Sequence, residues 1–124
     1  MSLETCLGVE RNLFEESSLH AGRLVLNSPV LSKQVFEKIT SLHQKDFKKD
    51  CLSLHYDSNI DLEEAINTIC DRAVRSVKKG TVLIVLSDSD MNDKQMTIPA
   101  IMAVGAVHHK LIDQGIRCDC NIIV

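Results

Sequence analysis

Between Asp61 and Leu86 the hydrophobic period changes once, and that change constrains the fold more than any other feature. Leu62, Ala65, Ile66, Ile69, Cys70, Ala73, Val74 and Val77 recur at helical spacing and form one continuous apolar stripe. Asp61 stands at the cap position, with Glu64 three residues later as in a capping box. Lys78 and Lys79 suit the negative end of the helix dipole, and Gly80 supplies the stop. Thr81 to Leu86 then runs unbroken in apolar, β-branched character. Such a run predicts a strand buried on both faces, as in a parallel sheet.

The flanks extend the pattern. Cys51 to Tyr56 reads as a strand, with Leu52, Leu54 and Tyr56 alternating against Ser53 and His55. Ser87 to Asp93 is a polar loop. Thr97 and Pro99 open a third helix that runs to about Gln114 and ends at Gly115. Its apolar residues Ile101, Met102, Val104, Val107, Leu111 and Ile112 occupy more than one stripe, so this helix needs cover on several sides. Ile116 to Val124 reads as a last strand with Cys118, Cys120, Ile122 and Val124 on one face. The order strand, helix, strand, helix, strand over residues 51–124 implies parallel strands joined by crossovers. Arg23 to His43 adds one more strand and a helix capped by Ser32, with Val35, Phe36, Ile39 and Leu42 on one face. The fold class is therefore α/β: a short, mostly parallel sheet with βαβαβ crossovers, an incomplete part of a larger α/β domain. Residues 1–22 form an irregular arm, and residues 23–124 form the α/β unit. Met1-Ser2-Leu3 has the look of an expression leader, and the apolar close Asn121-Ile122-Ile123-Val124 reads as a cut made inside a strand.

Composition closes off several function classes. At 124 residues the chain is one domain, and its 44% apolar and 25% charged content is that of a globular protein. A net charge of -3 with scattered basic residues leaves no footprint for nucleic acid. Lys48-Lys49 and Lys78-Lys79 read as solvated faces. No apolar run approaches the roughly 18 residues that span a bilayer, and no signal peptide opens the chain. The five cysteines, at 6, 51, 70, 118 and 120, match neither a zinc ribbon nor a disulfide framework. They read as reduced, packed thiols of a cytoplasmic protein.

One segment tempts a catalytic reading. The strand ending in Ser87, Asp88 and Asp90 resembles the nucleophile loop of Mg-dependent phosphohydrolases, with a carboxylate at the strand edge where α/β sheets bind ligands. Such a site needs a distal lysine and further carboxylates on later strands, and Asp113 and Asp119 are the only acids after Asp93. The same segment starts like a calcium loop, with Asp88, Asp90 and Asn92. It has Asp93 where glycine belongs and Pro99 where glutamate belongs. Ser87, Asp88 and Asp90 therefore remain only a candidate ligand-facing loop. His108 and His109 are adjacent on a helix and cannot share a metal as an i, i+4 pair could. No catalytic, cofactor or metal residue is assigned.

Three stretches together resemble the glutamate synthase large subunit. They are Leu7-Gly8-Val9-Glu10-Arg11-Asn12-Leu13-Phe14 with Arg23-Leu24 and Ser28-Pro29-Val30-Leu31, then Gly80 to Asp88, then Ile98 to His108 running on through Arg117 to Val124. The resemblance places the chain in the later part of that subunit's central domain. It implies a noncatalytic structural segment of an enzyme that converts glutamine and 2-oxoglutarate reductively into two glutamates. In that enzyme the central domain joins an amidotransferase domain to an FMN domain and supports an ammonia tunnel. FMN and a [3Fe-4S] cluster belong to the parent enzyme, and the resemblance implies no cofactor in this segment. The implied partners are the other domains of the parent chain and, through it, the small subunit; the apolar excess of the third helix predicts self-association of the isolated piece, and charge and hydropathy predict no nucleic acid or membrane partner. This sequence has Ser89 where the family usually has an arginine after Ser87-Asp88, which removes any charge expected there. Two other readings stay open at this point: a free-standing phosphohydrolase using Asp88, and a small ligand-binding α/β module.

Overall fold

A computed structural model describes residues 2–9, 14, 22–43, 45–89 and 92–124. Seven strands and three α-helices are described, in the order β1 (Thr5–Leu7), β2 (Leu24–Leu26), α1 (Lys33–Thr40), β3 (Lys49–Ser53), β4 (His55–Asp57), α2 (Leu62–Lys78), β5 (Leu83–Ser87), β6 (Gln95–Thr97), α3 (Ala100–Asp113) and β7 (Asn121–Ile123). The central sheet is parallel, with order β3-β5-β7. Two small antiparallel pairs, β1-β2 and β4-β6, flank it.

The middle strand explains the layering. Leu83, Ile84, Val85 and Leu86 are all buried, because successive side chains point to opposite faces and both faces are covered. Ile84 and Leu86 pack with Leu52, Leu54 and the inner stripes of α2 and α3. Leu83 packs on the other side with Leu7, Ile39 and Phe47, beneath α1 and the β1-β2 pair. Asn121 ties that pair to the sheet: its Oδ1 accepts from Gly8 N–H at 2.9 Å and its Nδ2 donates to the Cys6 carbonyl at 3.4 Å. Thr5–Leu7 thus forms a strand within the stretch read as an irregular arm.

α2 follows its stripe closely, with Ala65, Ile69, Cys70, Ala73, Val74 and Val77 buried and Leu62 and Ile66 partly so. Gly80 ends it at φ 97°, a left-handed conformation that suits glycine. Asp61 has the extended cap backbone, but its side chain makes no capping bond, so the expected capping box does not form. On α1, Ser32 Oγ does accept from Val35 N–H at 3.3 Å. That helix stops at Thr40, and of its expected face only Ile39 is fully buried.

Three boundaries differ from the sequence reading. The strand expected over Cys51–Tyr56 is two strands, since the chain leaves β5 after Ser53 and pairs again with β6. Leu54 makes the hand-over: its N–H donates to the Ser87 carbonyl at 2.8 Å, and its carbonyl accepts from Ile98 N–H at 2.9 Å. Thr97 consequently belongs to β6 and Pro99 takes the cap position of α3. The strand expected from Ile116 begins only at Asn121, because Arg117–Asp119 forms a 3-10 turn. Arg117 holds the turn, with Nη1 donating to the Cys120 carbonyl at 2.9 Å and Nε donating to His108 Nδ1 at 2.8 Å. Cys118 and Cys120 are therefore not on one face; Cys118 is exposed and Cys120 buried.

Candidate functional site

The loop singled out by sequence lies at the carboxyl end of β5, where open α/β sheets place ligands. Ser87 closes the strand opposite Ser53, and its Oγ accepts from Ser89 N–H at 3.2 Å. Asp88 is exposed. Asp90 lies outside the described residues. Asp113 ends α3, and Asp119 precedes the strand whose Asn121 pairs with Leu83, the first residue of β5. They therefore stand toward the other end of the sheet, about 16 Å of strand away at 3.3 Å per residue. The carboxylates a phosphohydrolase needs are not brought together.

Sequence reading missed the residue that organises this edge. His55 Nε2 is 2.8 Å from the Asp88 carbonyl and 3.1 Å from the Ser89 carbonyl, while Nδ1 is 2.9 Å from Thr97 Oγ1. Carbonyl oxygens only accept, so the proton belongs on Nε2, and the Thr97 hydroxyl donates to Nδ1. His55 thus latches the post-β5 loop to the β4-β6 pair. Nothing in its neighbourhood in sequence signals a contact with residues more than thirty positions away. Replacing His55 by alanine is expected to cost about 1 kcal/mol and to speed amide exchange along β4 and β6, with β5 unaffected. Hydrogen exchange read residue by residue checks it, and uniform acceleration across β5 would contradict a local latch.

His108 accepts from Arg117 and meets His109 edge to face at 5.6 Å. Among the described residues no three His, Cys, Asp or Glu side chains converge on a metal position. All five cysteines are free; Cys70 and Cys120 are packed as expected, whereas Cys6, Cys51 and Cys118 are exposed because their strands and turns face outward. Burial pushes the Cys70 and Cys120 thiols up, partly offset by Lys110 and Arg117 respectively. The unfolded chain ionises first, so their contribution to stability is lost as pH climbs past the ordinary thiol value of 9.0. Among the described residues no helix is long and apolar enough to cross a membrane.

Comparison with known proteins agrees with the resemblance in the sequence. A profile of the glutamate synthase central domain matches residues 1–124. The chain is 36% identical over 129 residues to the chloroplastic ferredoxin-dependent glutamate synthase of Oryza sativa subsp. japonica, covering 99% of this chain and 8% of that protein. It is 32% identical over 123 residues to the glutamate synthase [NADPH] large chain of Bacillus subtilis (strain 168), with the same 99% and 8% coverage. A chloroplastic/mitochondrial ferredoxin-dependent glutamate synthase 1 of Arabidopsis thaliana is 33% identical over 129 residues, again spanning 99% and 8%. The chain thus corresponds to a small part of these relatives' length. It belongs to the glutamate synthase central-domain family.

Proposed function

We propose that this chain is a noncatalytic structural segment of a glutamate synthase large subunit, linking the amidotransferase and FMN domains and supporting the ammonia tunnel between them. One observation carries the reading. α3 seats Ala103, Val107 and Leu111 fully in the core, yet leaves Ile101 85%, Met102 44% and Ile112 48% exposed. Ile101, Gly105 and Ile112 lie within about 40° of one another around the helix at 3.6 residues per turn. A side chain added at Gly105 would meet nothing within 4 Å, so the space over the stripe there is open. An exposed apolar stripe of this kind marks a surface for a neighbour. In a chain that spans 8% of its relatives, the neighbour we infer is another domain of the same polypeptide. The flavin and the cluster belong, on this reading, to those other domains, and a cytoplasmic location fits the five unpaired thiols.

The test is made in a full-length glutamate synthase carrying this segment, with Ile101→Ser and Ile112→Ser combined. Both positions are solvent-facing here, so the segment itself stays folded, within about 0.5 kcal/mol. Glutamine-dependent glutamate formation is expected to fall at least about tenfold while ammonia-dependent formation persists, because a misdocked linker uncouples two sites rather than destroying either. The isolated chain is expected to self-associate through this stripe, and the double variant to be a monomer in light scattering. Equal loss of both activities, or no loss of either, counts against the linking role.

A further inference from the structure

We propose that the groove between the start of β3 and the last two turns of α2 is a docking site for an extended, acidic polypeptide segment. The groove has a volume of about 420 Å³ and is lined by Lys48, Lys49, Asp50, Arg72, Arg75 and Lys79, with Ser76 and Thr81 on its floor. Its five cations and one carboxylate carry +4, which leaves -7 on the rest of a chain whose net charge is -3. The two lysine pairs that read as separate solvated faces are in fact split: Lys48, Lys49 and Lys79 share this groove, while Lys78 reaches Gln114 on α3 at 3.3 Å.

The cations are arranged in a line. Arg72 and Arg75 on α2 and Lys79 at its C-cap follow one another three and four residues apart, so they form a single row about 10 Å long at 1.5 Å rise per residue. Lys48 stands on the opposite bank. The Lys49 ammonium is already bonded to the Thr40 carbonyl at the end of α1. Among the described residues, none of the five cations comes within 4.0 Å of a carboxylate oxygen.

A compact phosphate group fits this groove poorly. The backbone amides that might cradle it are turned back into the helix end: Lys79 N–H donates to Arg75 O, Gly80 N–H to Val77 O and Thr81 N–H to Ser76 O. The negative end of the α2 dipole faces the same region, and the Asp50 carboxylate lies on the floor, held by Ser76 Oγ at 2.6 Å. Both features repel concentrated negative charge. An extended segment spreads its charge instead, placing alternate side chains about 6.6 Å apart on one face. Two such carboxylates fall within the length of the Arg72–Lys79 row, so each can meet a cation of it.

The proposal is tested on the 124-residue chain by amide NMR titration with three probes. These are a peptide of repeating Glu-Thr, the same peptide with Gln for Glu, and inorganic pyrophosphate. The Glu-Thr peptide is expected to give saturable shifts at Lys48–Asp50 and Arg72–Thr81 that vanish at high salt, with none from the Gln-Thr peptide. Replacing Arg72→Gln, Arg75→Gln and Lys79→Gln together should weaken binding at least about tenfold, the loss of three surface ion pairs. Asp50→Asn, which removes the floor charge without changing shape, should tighten it. Unchanged affinity in the triple variant, unchanged or weaker affinity in Asp50→Asn, or tighter binding of pyrophosphate than of the acidic peptide overturns the proposal. These outcomes are read on α2 and β3, so they are separable from any result on the α3 stripe.

Discussion

Truncating Leu111 to alanine should lower the unfolding free energy by about 2–5 kcal/mol, a large share of what a domain of this size possesses. Leu111 is fully buried on the inner face of α3, in line with Ala103 and Val107. It belongs to the cluster that joins α2, α3 and the sheet. That cluster has little room to collapse around a lost side chain, because several contributors are already small: Ala65, Cys70, Ala73 and Ala103. The cavity would therefore persist, and its cost adds to the lost transfer energy. Urea titration should show a lower midpoint with an unchanged slope. Ile101→Ala on the outer face is the matched control, with an expected effect within about 0.5 kcal/mol. Equal losses at the two positions would mean that α3 is not seated by the face assigned to it.

Ser76→Ala is expected to cost about 1.5–3 kcal/mol, far more than its one lost oxygen suggests. Ser76 is only 6% exposed, and its hydroxyl is 2.6 Å from Asp50 Oδ2 and 2.9 Å from Thr81 Oγ1. A serine has one proton to give. It goes to the carboxylate, the stronger acceptor, and the Thr81 hydroxyl closes the chain by donating to Ser76. Removing the link strands a partly buried carboxylate and a buried hydroxyl together, and orphaned groups cost more than the bond itself. A double-mutant cycle with Asp50→Asn measures the coupling. Additive losses would show that the three groups do not act as a unit.

Ser76 also shows where sequence reading stopped. The α2 stripe was legible because eight apolar residues kept one period, but a serine between Arg75 and Val77 is indistinguishable from a solvent-facing one until β3 is known to pass beside it. The parallel sheet was legible for a similar reason, since an unbroken apolar run such as Val82–Leu86 needs cover on both sides. β6 was not. Gln95-Met96-Thr97 has no strand pattern of its own and exists because His55–Asp57 lies opposite. The last strand was overextended because Arg117 forms its turn through contacts with His108 and the Cys120 carbonyl, which no local rule announces. At the candidate loop the sequence already counted against a phosphohydrolase for want of distal carboxylates; what it did not announce was His55, which reaches the Asp88 carbonyl and Thr97 from another strand. The apolar excess of α3 was visible in sequence, and its exposed half is where the structure leaves Ile101, Met102 and Ile112.

Leu54 has a mechanical consequence. Its two peptide groups are spent on different sheets, one on Ser87 and one on Ile98, and its side chain is almost wholly enclosed. It acts as a rivet rather than a hinge. The β4-β6 pair is thereby fastened to the parallel sheet at the residue where the chain crosses from one to the other, so opening the pair at that end must first break a bond made by an enclosed residue.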